Sequence, residues 1–237
     1  MMRKVITLAA AADIALGPVA IAHAADPVPT GTVANGIAWT THAQPPPNSL
    51  QIKGLGDYCT LSAVGTDSGG RKVAFSAAHC VSEEKDGAIV YRYATNAAGR
   101  TPIGKIAYRN ADIDYAVIQL NDDAVLKSQG PGPKLDSIGS DKPTGTLSKF
   151  GQTTGTSQGP LTGVEPTRIY NVSLAGPGDS GGPAYQGTAW TGMTRALNTN
   201  PEDIVRLRII EFVKATAVLA DVQAQANPVG KGFTITK

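Results

Sequence analysis

The stretch Gly176-Pro177-Gly178-Asp179-Ser180-Gly181-Gly182-Pro183 sets a single serine among glycines and prolines. Backbone without side chains lets a carbonyl group approach Ser180 closely. It also lets successive N–H groups point into one concavity, an arrangement that stabilises a developing oxyanion. A serine hydroxyl is a weak nucleophile, however, and needs a nearby base.

Residue order decides where that base can be. The stretch also fits the Gly-x-Ser-x-Gly elbow of α/β-hydrolases, whose histidine follows the serine. His23, His42 and His79 all precede Ser180, so that reading fails. His23 belongs to a removable leader and His42 to an unpatterned Pro-rich segment, which leaves His79, in Ser76-Ala77-Ala78-His79-Cys80, as the base. A carboxylate must then orient the imidazole, and Asp112 and Asp114 are both candidates in Asp112-Ile113-Asp114-Tyr115-Ala116-Val117-Ile118-Gln119-Leu120. Taken singly, a Gly-rich stretch is usually a turn and a histidine beside a cysteine is usually structural. Zinc is not expected, because no fourth ligand accompanies His79, Cys59 and Cys80 at metal spacing.

The chain as a whole sets limits around these residues. Its 237 residues carry 21 Lys+Arg against 19 Asp+Glu, and 17% are charged. That balance provides no basic field for a nucleic-acid backbone, and 41% hydrophobic residues suffice for a substantial core. Arg3 and Lys4 precede an apolar run from Val5 to Ala22, and Ala22-His23-Ala24 supplies small residues of a cleavage site. Residues 1–24 therefore read as a signal peptide. The rival, a membrane anchor, would place Asp13 inside a span at a cost of about 2.5–3.5 kcal/mol. Export into an oxidising compartment leaves Cys59 and Cys80, the only cysteines, with one intramolecular pairing.

Residues 25–49 read as an N-terminal arm or propeptide, with Pro45-Pro46-Pro47 as its stiff part. Short β-rich runs follow at Tyr58–Val64, Lys72–Ser76, Ala88–Tyr93, Ile103–Tyr108 and Tyr115–Leu120. A Gly/Pro-rich passage, residues 131–145, separates residues 50–130 from a second strand-rich half, residues 146–237. The runs there are Thr146–Phe150, Thr167–Leu174, Trp190–Thr194 and Arg208–Lys214. Ala215–Gln225 has helical spacing, with Thr216 as its expected cap, and a short strand is expected over Phe233–Thr236. With 27 Gly, 16 Pro and no helix–strand alternation, the fold class is all-β.

The blocks Ala77-Ala78-His79-Cys80, Asp114-Tyr115-Ala116-Val117-Ile118-Gln119-Leu120 and Gly178-Asp179-Ser180-Gly181-Gly182-Pro183, in that order, resemble the chymotrypsin-like serine proteases, in particular compact bacterial members. The resemblance implies two six-stranded Greek-key β-barrels with the active site between them, closed by a C-terminal helix. It assigns His79 as base, Asp114 rather than Asp112 as orienting carboxylate, Ser180 as nucleophile, the N–H groups of Gly178 and Ser180 as oxyanion hole, and Cys59–Cys80 as the disulfide beside the histidine. Three departures accompany it. No Ile-Val-Gly-Gly-like start exists to supply an N-terminal amine to Asp179, whose partner stays unidentified. Gly176 replaces a cysteine that many members carry. Leu174 stands where trypsin-like members carry an acidic pocket residue, and Arg195 falls near the opposite pocket wall, either to select acidic substrates or to pair with an Asp or Glu of the chain.

The expectation is a secreted, monomeric serine endopeptidase acting on polypeptides through an acyl-enzyme, with no cofactor, no nucleic-acid partner and no membrane association once the signal is cleaved. The alternatives are an inactive protease-like binding module and a serine esterase. Mass spectrometry of exported protein should give an N-terminus at Ala25 and a mass two hydrogens below the dithiol form; two alkylatable thiols in native material would refute the pairing.

Overall fold

The computed structural model describes residues 31–44, 58–81, 86–95, 97–197 and 209–237. Residues 1–24, read as a signal peptide, residues 25–30 and 45–57, and Arg208 lie outside them. The first half contains β1 (Thr32–Ala34), β2 (Ala38–Thr40), β3 (Cys59–Thr60), β4 (Val64–Thr66), β5 (Lys72–Ser76), β6 (Ile89–Arg92), β7 (Pro102–Asn110), β8 (Tyr115–Leu120) and β9 (Val125–Lys127). The second contains β10 (Ser137–Ile138), β11 (Thr146–Gly151), β12 (Gly155–Val164), β13 (Arg168–Val172), β14 (Pro183–Gln186), β15 (Ala189–Leu197) and β16 (Ile209–Lys214). The helix α1 (Ala215–Ala224) and β17 (Thr234–Ile235) end the chain.

Both halves curl. In the second, β11, β12, β13, β16, β15 and β14 pair antiparallel in a closed six-strand ring, because β15 and β16 pair as well. In the first, the sheet order is β17-β4-β5-β8-β7-β6-β2-β3. Its two ends are joined by one bent stretch, residues 59–66, which pairs with β2 through β3 and with β5 through β4. Across the bend Leu61 N–H donates to Ile37 O and Ser62 N–H to Phe75 O, both at 2.8 Å. The all-β class with one C-terminal helix is therefore the observed one.

Period-2 alternation sorts the side chains of the central strands between two cores. Ala74, Ala116, Ile118 and Leu120 fill the first barrel with Trp39, Leu61 and Ile106. The alternate residues Val73, Phe75, Tyr115 and Val117 face outward and meet Trp190, Met193 and Val213 of the second barrel and Val218 and Val222 of α1. Because β5 and β8 are covered on both faces, their sequences are almost continuously apolar. This shared cluster holds the halves together, with the Phe75 and Trp190 ring centroids 5.3 Å apart.

Two local expectations are corrected, and one strand lies outside the predicted runs. Residues 31–44, read as part of an unpatterned arm, are built into the first barrel: Trp39 is 1% exposed and its Nε1–H donates to Ser76 Oγ (2.9 Å). Two three-residue strands are too short to show a period. The Gly- and Pro-containing run Gly155–Val164 forms a ten-residue strand. A Cβ on Gly159 would collide with the Val172 carbonyl, so glycine there serves close strand approach rather than a turn. Thr216 does not cap α1, whose N-cap is Lys214 without a side-chain cap; its hydroxyl donates instead to Asp141 Oδ1 (2.8 Å).

The C-terminal strap returns from α1 to the first barrel, where β17 pairs with β4. The buried Asp67 anchors it: Oδ2 accepts from Gly230 N–H (2.9 Å) and Arg71 Nε (2.7 Å), and Oδ1 from the N–H groups of Gly69 and Arg71. Burial alone would raise this carboxyl, but the hydrogen bonds from Gly230 and Arg71 carry it below the ordinary aspartate value. A depressed folded-state value contributes stability above about pH 4, lost as the pH falls through the lower folded value. Asp67→Asn should therefore cost about 2–3 kcal/mol near neutrality. Thermal melts of the variant and wild type should converge as the pH falls through the lowered folded-state value; a gap that persists at the acid limit of folding would sink the assignment.

Candidate active site

His79 lies on the short 3-10 turn Ala78–Val81 that follows β5, and the next residue, Cys80, is disulfide-bonded to Cys59 of β3 with Cα atoms 6.3 Å apart. The turn is thereby stapled to the neighbouring strand. Asp114 sits at the foot of the β7–β8 hairpin with φ 71°, the left-handed region that aspartate tolerates better than most residues. The hairpin enforces it: Asp114 N–H donates to Asn110 O (2.8 Å), while Asn110 Oδ1 accepts from the N–H groups of Asp112 (3.0 Å) and Ile113 (3.2 Å).

The buried Asp114 carboxylate grips the histidine at two points. Its Oδ1 accepts from His79 N–H (2.9 Å), and its Oδ2 faces His79 Nδ1 at 2.9 Å. A carboxylate on Nδ1 favours the tautomer with the proton there, leaving Nε2 as an acceptor. Asp112, the other candidate, is engaged through its backbone, donating its N–H to Asn110 and accepting from Arg168 Nη2 at its carbonyl (3.0 Å). His42 Nδ1 lies 3.3 Å from Thr40 Oγ1.

The serine loop is shaped by Asp179, which is fully buried. Its Oδ2 accepts from Lys149 Nζ (2.7 Å), Thr154 Oγ1 (2.6 Å) and Gly176 N–H (3.0 Å), and its Oδ1 from the N–H groups of Thr153 (2.9 Å) and Thr154 (3.1 Å). Lys149 is itself fully buried, and burial pulls its ammonium below the usual lysine value against the opposing pull of Asp179. Lys149 is thus the cationic partner that the sequence left unidentified.

Thr60, next to Cys59, ties this loop to the first barrel. Its Oγ1 donates to Gly178 O (2.7 Å), its N–H to Ser180 O (2.9 Å), and its Oγ1 accepts from Gln152 N–H (3.1 Å). Gly181, at φ 78°, passes so near the chain leading to His79 that a Cβ would collide with Ser76 Oγ. Gly178 has φ 93°, and a Cβ there would meet Thr153 Oγ1 and the Tyr58 ring. The N–H groups of Asp179, Gly181 and Gly182 all donate within the protein. Among the described residues those of Gly178 and Ser180 donate to nothing, and no hydrogen bond joins Ser180 Oγ to His79; such contacts often tighten only with substrate.

Leu174 is 53% exposed, its carbonyl accepting from Ser157 Oγ (2.8 Å). Arg195 turns to carboxylates of the chain: Nη1 donates to Glu211 Oε1 (2.9 Å) and Nε lies 3.4 Å from Asp114 Oδ2. Sequence reasoning missed Thr60, Lys149, Thr154 and Glu211. Only Lys149 left a trace, as a charge sharing the inward register of Leu147 on β11.

Removing one member of a buried pair strands the other charge. Lys149→Met should cost about 3–5 kcal/mol in denaturant unfolding. Adding Asp179→Asn should then cost less than the separate effects imply, with a coupling of about 1–3 kcal/mol. Strict additivity would show that the two charges do not share one interaction.

No family model and no curated protein matches the sequence. Solved structures do. Thermobifida fusca protease A superposes with a TM-score of 0.60 at 16% identity, covering 86% of this chain and 100% of that one. A glutamic acid-specific serine protease gives 0.61 at 18% identity, with coverage of 86% and 100%. Cellulomonas bogoriensis chymotrypsin gives 0.55 at 21%, with coverage of 86% and 98%. The chain has the two-barrel fold of the bacterial chymotrypsin-like serine proteases along most of its length.

Proposed function

We propose that the protein is an exported serine endopeptidase in which His79 is the base, Asp114 its orienting carboxylate and Ser180 the nucleophile. The observation that carries this reading is the two-point grip of Asp114 on His79, which fixes the ring and leaves Nε2 to accept a proton. His79 takes the hydroxyl proton as Ser180 Oγ bonds to the scissile carbonyl carbon. The N–H groups of Gly178 and Ser180 receive the oxyanion, each such donor contributing about 3–4 kcal/mol to the transition state. His79 then delivers the proton to the leaving amine as the C–N bond breaks. Water, losing its proton to His79, cleaves the resulting ester, and that proton returns to Ser180.

The buried Lys149 supports a serine loop that holds its shape without an N-terminal amine on Asp179. The disulfide fits an oxidising compartment, and among the described residues no helix is long and apolar enough to cross a membrane. The mature protein is proposed to act as a monomer on polypeptides.

A fluorophosphonate probe should label the folded wild type and not Ser180→Ala. Peptide turnover should fall about a million-fold in Ser180→Ala and about ten-thousand-fold in Asp114→Asn. A folded, disulfide-bonded wild type that resists the probe would instead support a binding module, and turnover of esters without peptides an esterase.

A further inference from the structure

Behind Asp114 runs a line of alternating charge supplied by the second barrel. Arg168 on β13 and Arg195 on β15 both donate to Glu211 Oε1 of β16, at 2.8 and 2.9 Å. The strand order makes this possible, because Glu211 stands opposite Tyr170 on one side and Ala196 on the other. Each arginine also reaches the hairpin that carries Asp114. Arg168 Nη2 donates to Asp112 O (3.0 Å), and Arg195 Nε lies 3.4 Å from Asp114 Oδ2. That Nε is shielded from solvent and makes no hydrogen bond among the described residues, so its contact with Asp114 is one of charge rather than of aligned donor and acceptor. Arg195 directly follows Thr194, whose backbone exchanges hydrogen bonds with Gly181 (2.7 Å) and Gly182 (2.8 Å) of the serine loop.

We propose that Arg195, held and tempered by Glu211, is a positioning residue that sets how much negative charge Asp114 presents to His79. The proposal rests on His79 acting as the base. A cation 3.4 Å from Asp114 Oδ2, the same oxygen that faces His79 Nδ1, weakens the attraction between that carboxylate and a protonated imidazole. Glu211 limits the effect by sharing the guanidinium, and Arg168 keeps Glu211 in place.

Other charged groups face this region from each packed element. Arg109 of β7 donates to the Val81 carbonyl at the end of the His79 turn. Asp221 of α1 accepts from Asn110 Nδ2 (2.9 Å) and the Tyr115 hydroxyl at the hairpin base. Asp112 joins through its backbone. Of these side chains, Arg195 is the one in charge contact with Asp114. Its commitment to Glu211 and Asp114 also means that it does not offer a free cation to an acidic substrate.

The test follows the titration of the His79 ring by NMR in the full folded chain, with the rate of fluorophosphonate labelling measured over the same pH range. Arg195→Gln should move the midpoint, and the acid limb of labelling, to higher pH by about one unit. Glu211→Gln should move both to lower pH, whereas Arg195→Lys, which keeps the charge, should hold them near wild type. Unmoved midpoints in Arg195→Gln and Glu211→Gln overturn the proposal, and if Arg195→Gln does not fold, Glu211→Gln decides alone. A shifted midpoint in a protein that no probe labels would uphold the charge relation and sink only the protease reading.

Discussion

A carboxylate with no exposed surface must be matched donor for donor, and Asp179 imposes that requirement on everything around Ser180. Lys149 supplies the charge, Thr153 and Thr154 supply the turn after β11, and Gly176 closes the loop on itself. With both oxygens of Asp179 so occupied, the Gly178–Gly182 segment has one arrangement. Its two N–H groups that donate to nothing among the described residues, on Gly178 and Ser180, lie at the serine. The interaction is a net stabiliser of the loop only as a pair, since either partner alone would be an uncompensated buried charge.

The same logic extends from one barrel to the other. Thr60 of the first barrel hydrogen-bonds to the carbonyls of Gly178 and Ser180, while its neighbour Cys59 is bonded to Cys80 beside His79. One short strand thus references both the serine loop and the histidine turn. From the other side the second barrel, through Arg168 and Arg195, and α1, through Asp221, reach back to the hairpin holding Asp114 in its left-handed conformation. Neither half contains the site, because each positions a residue that the other must orient. The apolar cluster around Phe75, Tyr115, Trp190 and Val213 gives that mutual positioning its rigidity.

Strands β5 and β8 were legible because five- and six-residue apolar runs survive burial on both faces, and α1 because Val218 and Val222 recur at helical spacing. Strands β1 and β2 were not, because three residues cannot display a period, and β12 was not, because its glycines and Pro160 imitate turn signals. At the candidate site, His79 was singled out by elimination among three histidines. Choosing Asp114 over Asp112 required the family register, since a carboxylate two residues away has the same chemistry.

The linear order of residues was enough to establish the all-β class, the single possible cysteine pairing, and a serine in a backbone-rich loop with one histidine left to serve it. These are properties of composition, exclusion and local pattern, which the chain carries at every point along its length. Only the tertiary structure decided that Lys149 neutralises Asp179, that Thr60 joins the serine loop to the first barrel, and that Arg195 faces Asp114 and Glu211. Such partnerships join residues 16 to 118 positions apart. They depend on which strands the barrels make neighbours, so a charge or hydroxyl acquires its partner only when the sheets close.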